Sequence, residues 1–158
     1  MNMIRINRRG RKLAWTILLL APLGCSGVAD ELDDFTSDGC SAFPEGTIEQ
    51  KQLWHSCCVI HDLAYWKGGN EEQRKTADLA LQACVAEVGE PAMAKLMLAG
   101  VRVGGTPWLP TRFRWAYGWP YLRGYKEAEG DEVRQIVQKT EAAIELLRAQ
   151  GAILDGDN

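Results

Sequence analysis

The sequence predicts a mainly α-helical domain, with two long antiparallel helices in its centre and further helices toward the C-terminus. Three observations support this fold class. Long segments between glycine and proline residues carry helix-forming sequence without interruption. No stretch of any length alternates apolar and polar residues as a half-buried strand does. Only about three residues separate the two central helices, and helices joined by so short a connection lie antiparallel.

The first 29 residues have the features of a secretory signal peptide. The basic segment MNMIRINRRGRK precedes the apolar run LAWTILLLAPLG, which is too short to span a membrane. Small residues at Gly27 and Ala29 suit signal peptidase, so we expect cleavage after Ala29. The product is then a single domain over residues 30–158 that is exported to the periplasm or secreted. Cys25 leaves a second option, in which the chain is cleaved and lipidated at that cysteine.

The charge of the expected mature chain bears on its partners. Five of the 18 basic residues and none of the 21 acidic residues precede Asp30, so 13 basic and 21 acidic residues remain and the net charge is near −8. Such a chain lacks the positive charge on which nucleic-acid binding depends. We therefore expect no nucleic-acid partner.

The cysteines of the exported chain form an even set. Either processing route removes Cys25 from pairing, and the remaining cysteines then enter an oxidising compartment. Two disulfides are the expectation. They would be formed by Cys40, Cys57, Cys58 and Cys84.

The first half of the domain is predicted as a loop followed by a long helix. Residues 30–46 contain acids, glycine and proline without a helical period and are predicted as loop. Thr47 followed by Gln50 resembles a capping box, which predicts a helix over 48–67 that ends at a glycine pair.

Three further segments follow that helix. Asn70 is a favourable N-cap for a second helix that runs to about residue 88. Pro91 begins a shorter apolar helix that two glycines end at 104–105. Residues 106–125 are rich in proline, glycine and aromatic residues and have no clear period. The last helix is predicted over 128–150, with an apolar stripe of Val133, Ile136, Val137, Ile144 and Leu147.

A supposed pairing of Cys57 with Cys84 sets a register between the two central helices. In that register Asp78 lies between His61 and Tyr65, about 3 Å along the axis from each. Cys57, His61 and Tyr65 share one stripe of the first helix because they are four residues apart. One carboxylate could then reach both an imidazole nitrogen and a phenol.

Three interpretations of the stretch CCVIHDLAYW compete. Cys57, Cys58 and His61 have the ligand types of a zinc site, and a cysteine beside a histidine is also the pattern of a thiol nucleophile. The third interpretation makes His61 a general base that Asp78 orients while disulfides brace the helix. Asp62, on the neighbouring stripe, is a candidate ligand for a hard cation such as calcium.

Two segments resemble the secreted phospholipase A2 superfamily. CCVIHDLAY resembles the active-site helix of that family, C-C-x-x-H-D-x-C-Y, and ADLALQAC resembles its second helix, in which an aspartate precedes a cysteine by six residues. The third motif cysteine and its usual partner are both replaced, by Ala64 and Ala77, as expected when a bridge is lost as a unit. The family's β-hairpin between the helices is absent, so the likeness, over residues 38–84, is to a short bacterial form.

The resemblance implies a fold, a reaction and a cofactor. His61 would activate water, Asp78 would orient His61, and Tyr65 would support Asp78 in the calcium-dependent hydrolysis of the sn-2 ester of a phospholipid. The family's disulfides would join Cys57 to Cys84 and Cys58 to Cys40. Calcium would be held by the carboxylate of Asp62 and by backbone carbonyls of Gly39, Ser41 and Phe43.

The acid-free segment between Glu90 and Glu127 provides a candidate membrane surface. It contains six basic residues and many aromatic residues, a composition suited to anionic lipid headgroups. The expected lipid-contacting residues are Trp108, Arg112, Arg114, Trp115 and Trp119. The alternative is a loop whose aromatic side chains fill the core. Two other functions also stay open, a non-catalytic binding module on this scaffold and an envelope lipoprotein anchored through Cys25.

Overall fold

The computed structural model describes residues 30–153, and this part of the chain is mainly helical without a strand. The mainly α-helical fold class is therefore confirmed for these residues. No helix within them is long and apolar enough to cross a bilayer. The expected signal peptide and Cys25 lie outside the described residues. The helices are α1 (His55–Lys67), α2 (Glu71–Glu87), α3 (Pro91–Gly104) and α4 (Asp131–Ala149).

Helix α1 begins seven residues later than predicted. Thr47 does accept a hydrogen bond from the backbone N–H of Gln50, at 3.0 Å, but turns follow this bond where a helix was expected. The reason is Trp54, whose side chain is buried. Its backbone N–H donates to the carbonyl of Glu45 and its indole Nε1 donates to the carbonyl of Pro44, at 3.1 and 2.7 Å. Burial of this indole against the preceding loop outweighs local helix propensity.

Helix α2 begins where the sequence predicts and lies between two other helices. The Asn70 side chain accepts from the Gln73 backbone, and the Gln73 side chain accepts from the Asn70 backbone, which completes a capping box. Helix α2 packs against both α1 and α3. Residues rise along α1 as their partners fall along α2, so these two helices are antiparallel.

Residues 106–125, called here the aromatic segment, form no helix and cover the C-terminal end of α1. The last carbonyls of a helix lack partners within the helix. Here the N–H of Ala116 donates to the carbonyl of Tyr65 at 2.7 Å, and the indole of Trp119 donates to that of Lys67 at 2.8 Å. Gly68 permits this approach, because a Cβ there would lie 2.5 Å from the Cβ of Ala116.

Helix α4 begins at Asp131, three residues later than predicted. Its side chains bind the N-terminal segment of the described chain at Leu32. The side-chain oxygen of Gln135 accepts from the backbone N–H of Leu32 at 2.9 Å, and the ammonium of Lys139 donates to the Leu32 carbonyl. The Leu32 side chain is completely buried in a cluster with Trp66.

Candidate active site

One stripe of α1 carries three buried side chains toward α2. Cys57, His61 and Tyr65 are successive members of this stripe. A disulfide joins Cys57 to Cys84, with 5.8 Å between their Cα atoms. The register supposed from the sequence is therefore the register of the structure, and it brings Asp78 to His61.

Asp78 binds both groups that the register assigns to it. Its Oδ1 atom lies 3.1 Å from Nε2 of His61 and accepts a hydrogen bond from the hydroxyl of Tyr65 at 2.7 Å. The Asp78 side chain is 0% exposed. Since a carboxylate can only accept, Nε2 of His61 carries the proton and Nδ1 keeps its lone pair. Nδ1 of His61 is therefore the ring nitrogen that can accept a proton from a bound group.

Two arginines that sequence reasoning missed complete the surroundings of Asp78. Nε of Arg102, on α3, lies 3.0 Å from Asp78 Oδ2. Nε of Arg74 donates to the Tyr65 hydroxyl at 3.1 Å, which leaves the phenolic proton for Asp78. The contact of Arg102 supplies Asp78 Oδ2 with a positive charge but not with a hydrogen bond, and a buried carboxylate needs such a charge. Arg74 stands four residues before Asp78 on a predicted helix, and this spacing was a usable signal; the approach of Arg102 depends on how α3 packs.

Tyr65 is held as a hydrogen-bond donor. Burial raises the pKa of its phenol well above the usual value, and the hydrogen bond to Asp78 raises it further. Its ring lies 4.2 Å from the imidazole of His61 and packs edge-on against Trp115 at 5.0 Å, measured between ring centroids. The Tyr65 ring and the Asp78 carboxylate thus contact the imidazole on two sides.

Asp62 is a buried carboxylate beside His61. Its Oδ2 atom accepts a hydrogen bond from the hydroxyl of Ser37 at 2.6 Å. Burial raises the pKa of Asp62 to about 7; the Ser37 bond opposes this shift and the charge of Asp38 adds to it. Such a shift means that the ionised carboxylate lacks a compensating positive charge.

The loop expected to bind calcium is fastened to α1. The disulfide between Cys40 and Cys58 has a Cα–Cα distance of 5.0 Å, so the second bridge implied by the resemblance is also present. The carbonyl of Cys40 accepts from the N–H of Phe43. In contrast, the carbonyls of Gly39, Ser41 and Phe43 accept no hydrogen bond from another described residue. These three carbonyls are therefore available as ligands.

The available donors fit calcium better than a transition metal. Within residues 30–153, no three His, Cys, Asp or Glu side chains form a metal-binding cluster. Calcium accepts carboxylate and backbone carbonyl oxygens in flexible geometry. Asp62 supplies a buried carboxylate without a compensating cation, Asp38 lies close to it, and the loop carbonyls are free.

The bridged cysteines exclude two of the sequence-based interpretations. Sulfur atoms of Cys57 and Cys58 are in disulfides and so offer no thiolate for zinc or for nucleophilic attack. The zinc site and the cysteine nucleophile are therefore incompatible with this structure. The remaining interpretation, a histidine oriented by an acid, agrees with the geometry.

A cavity of about 310 Å³ opens in front of His61. Helix α3 forms one wall through Met97 and Gly100. The loop over residues 39–43, which is expected to bind calcium, forms another wall through Phe43. A Cβ at Gly100 would lie 2.7 Å from the Phe43 ring, so glycine is required for this spacing. The cavity thus joins one polar end, at His61 and Asp62, to an apolar interior.

Three of the residues expected to contact lipid are buried. Arg114, Trp115 and Trp119 are 7%, 1% and 1% exposed, which corrects the expectation that they touch a membrane. Their polar groups satisfy internal carbonyls: the Arg114 guanidinium donates to Ala116 and Trp119, and the indole of Trp115 donates to Gly69. Carbonyls of the aromatic segment, of Gly69 and of Lys67 at the end of α1 need these donors, which explains the burial. Trp108, at 57%, and Arg112 are exposed and remain candidates.

Comparison with known proteins adds no relative to this description. The chain matches no family model, no curated protein and no solved structure.

Proposed function

We propose that this chain is an exported, calcium-dependent hydrolase, similar to secreted phospholipases A2, that cleaves the sn-2 acyl ester of glycerophospholipids. One observation carries the proposal. His61 is bonded through Nε2 to the fully buried Asp78, while the same imidazole lines a large apolar cavity beside Asp62. This combination suits a base that acts on an apolar ester next to a cation site.

The proposed reaction needs no covalent intermediate. Nδ1 of His61 takes a proton from a water molecule, and the water oxygen attacks the ester carbonyl carbon. Asp78 stabilises the imidazolium that results and prevents rotation of the ring. When the tetrahedral intermediate collapses, its bond to the glycerol oxygen breaks and the imidazolium returns the proton to that oxygen. The products are a fatty acid and a lysophospholipid.

Calcium would be held by Asp62 and by the carbonyls of Gly39, Ser41 and Phe43. When bound, it would polarise the ester carbonyl and stabilise the negative charge that develops on its oxygen. The protein itself buries the Asp62 carboxylate and places it beside His61, the proposed base. The two disulfides support that arrangement because both attach to α1 within four residues of His61.

The membrane-facing surface that we propose differs from the one that the sequence suggested. Leu96 and Val103 lie on one side of α3, seven residues apart, and are exposed beside the helix face that lines the cavity. Phe113 is exposed and lines the cavity itself. Exposed apolar side chains around a cavity mouth suit entry of a lipid from a bilayer.

Vesicle binding tests this surface. We expect Val103→Asp to weaken sedimentation with anionic phospholipid vesicles several-fold, because a carboxylate would enter the bilayer interface. Val137→Asp, at a similarly apolar and exposed position on α4, is the matched control and should sediment as the wild type does. Equal sedimentation of all three proteins would remove α3 from the membrane surface.

Release of fatty acid tests the enzymatic proposal. Purified protein is incubated with mixed phosphatidylglycerol and phosphatidylcholine vesicles in calcium or in chelator. We expect calcium-dependent release by the wild type and a loss on the order of 10²–10⁴ in His61→Gln, the range for removal of a general base. His55→Gln is the matched control, because the second histidine lies on the same helix outside the cavity. Release that ignores both calcium and His61→Gln would refute the proposal.

A second candidate function is a lipid-binding module without hydrolysis. The hydrogen bond from Ser37 to Asp62 favours it, because that hydroxyl occupies an oxygen that a cation would bind. Under this alternative, the protein binds vesicles but releases no fatty acid from them in the presence of calcium. Mass spectrometry of the N-terminus separately tests whether Cys25 carries a lipid anchor.

A further inference from the structure

A second cavity adjoins the candidate active site. It has a volume of about 90 Å³ and shares Asp62 and Phe113 with the larger cavity. The lining of the smaller cavity is mainly polar, whereas the larger one is mainly apolar. Its other lining residues are Thr36, Ser37, Asp38, Arg112 and Tyr117.

Arg112 differs from the other arginines around this site. Arg74 and Arg114 donate to carbonyl and hydroxyl oxygens within the protein, and Arg102 forms an ion pair with Asp78. Arg112 forms neither an ion pair nor a hydrogen bond with another described residue. Its guanidinium therefore remains available to a ligand.

We infer that Arg112 and the smaller cavity form a subsite for the phosphodiester group of the substrate. This inference rests on the proposed hydrolase function. In a glycerophospholipid, the carbon that bears the phosphodiester is bonded to the carbon that bears the sn-2 ester. An ester held at His61 therefore brings the phosphoryl group next to Asp62, where the two cavities meet. A guanidinium binds phosphoryl oxygens through paired charge-assisted hydrogen bonds.

The carboxylates in the smaller cavity make this subsite dependent on a cation. Asp38 and Asp62 both line it and would repel a phosphodiester. A divalent cation at Asp62 would remove that repulsion, so calcium and the phosphodiester should each strengthen the binding of the other. Thermodynamic linkage requires this coupling to be equal in both directions.

Isothermal titration calorimetry with a non-hydrolysable probe tests the subsite. The probe is a short-chain diether phosphatidylglycerol, used below its critical micelle concentration with millimolar calcium. We expect Arg112→Gln to weaken its binding about ten- to hundredfold, the range for loss of hydrogen bonds to a charged group. The affinity of Arg112→Lys for the probe should lie between those of wild type and Arg112→Gln, because lysine keeps the charge but cannot form the paired hydrogen bonds.

Matched controls test whether the phosphoryl group of the probe is recognised and whether the position of the arginine matters. Arg134→Gln removes the same charge from an exposed site on α4 and should bind the probe as the wild type does. A diether glyceride without phosphate should bind wild type and Arg112→Gln equally. Inorganic phosphate should compete only at much higher concentration than the lipid probe; competition at equal concentration would assign the site to free phosphate and overturn the lipid subsite.

Other outcomes also overturn the inference. Unchanged probe binding in Arg112→Gln would show that this residue is not part of a phosphodiester subsite. Equal weakening in Arg134→Gln would show that binding depends on the net charge of the protein and not on the position of Arg112. Wild-type protein that fails to prefer the phosphate-containing probe over the neutral one would exclude the subsite altogether. Because the diether cannot be cleaved, these results are independent of whether wild-type protein releases fatty acid from vesicles.

Discussion

We expect the metal-free protein to become less stable as pH rises from about 4 to about 7, because of Asp62. Burial, opposed by the Ser37 hydrogen bond and assisted by Asp38, raises the pKa of this carboxyl from 3.8 to about 7. Between those values the folded protein keeps a proton that the unfolded chain has released. The extra stability is therefore complete below pH 4 and is lost as pH rises through 7.

The magnitude follows from the width of that pH window. The two pKa values differ by about three units, and each unit corresponds to about 1.36 kcal/mol, so the loss is at most about 4 kcal/mol. Local rearrangement around an ionised carboxylate reduces such a penalty, and we therefore expect about 2–4 kcal/mol.

Urea denaturation in chelator, at pH 5 and pH 8, measures the part of this loss that falls between pH 5 and pH 7, at most about 2.7 kcal/mol. Asp62→Asn is the matched variant, because its amide oxygen can still accept from Ser37 and it cannot ionise. The free energy of unfolding should fall more between the two pH values for wild type than for Asp62→Asn. The comparison of the two proteins removes the contributions of all groups that they share.

Calcium supplies the second half of the same experiment. A cation that binds only the folded state stabilises it by mass action and binds the ionised carboxylate. Millimolar calcium should therefore raise the urea midpoint of wild type at pH 8 and leave Asp62→Asn nearly unchanged. If both proteins lose equal stability from pH 5 to pH 8, Asp62 does not carry the buried charge that the geometry assigns to it.

Three other substitutions have expected outcomes. Tyr65→Phe removes a hydroxyl that is hydrogen-bonded to both Asp78 and Arg74, and the free energy of unfolding from thermal denaturation should fall by about 1–3 kcal/mol. An unchanged thermal midpoint would show that this hydroxyl does not stabilise the fold. Gly105→Ala would bring a Cβ within 2.5 Å of the Tyr65 hydroxyl, at a φ of −86° that suits any residue, so overpacking should cost about 1–3 kcal/mol in urea. Arg114→Gln removes the guanidinium that donates to the Trp119 carbonyl and should lower the free energy of unfolding in urea by about 1–3 kcal/mol. An unchanged free energy of unfolding together with weaker vesicle binding would restore Arg114 to the membrane surface.

Local signals predicted some helix boundaries accurately and others poorly. Asn70 caps α2 through its own side chain, and Pro91 begins α3. Both boundaries depend on a few adjacent residues, which a sequence displays directly. The start of α1 was wrong because it depends on the burial of Trp54 against Pro44 and Glu45, a packing effect that the capping signal at Thr47 does not contain.

The central part of the site was predictable because it follows from helix periodicity. Once Cys57 faces Cys84, the spacing of His61 and Tyr65 directs both side chains to Asp78. Groups that reach the site from other elements were not predictable. Ser37 reaches Asp62 from an irregular loop and Arg102 reaches Asp78 from α3, and no period connects either residue to its partner.

The aromatic segment illustrates why composition alone assigned several residues to the wrong surface. Its tryptophans and arginines suit a membrane interface, but each also carries donors that can satisfy the free carbonyls at a helix end. Trp119 uses its indole N–H in that way, and Trp115 donates to the carbonyl of Gly69 just beyond the helix and packs its ring against Tyr65. The segment therefore supports the candidate active site from within. Only its exposed residues, among them Trp108 and Arg112, remain on the side where a phospholipid could reach the protein.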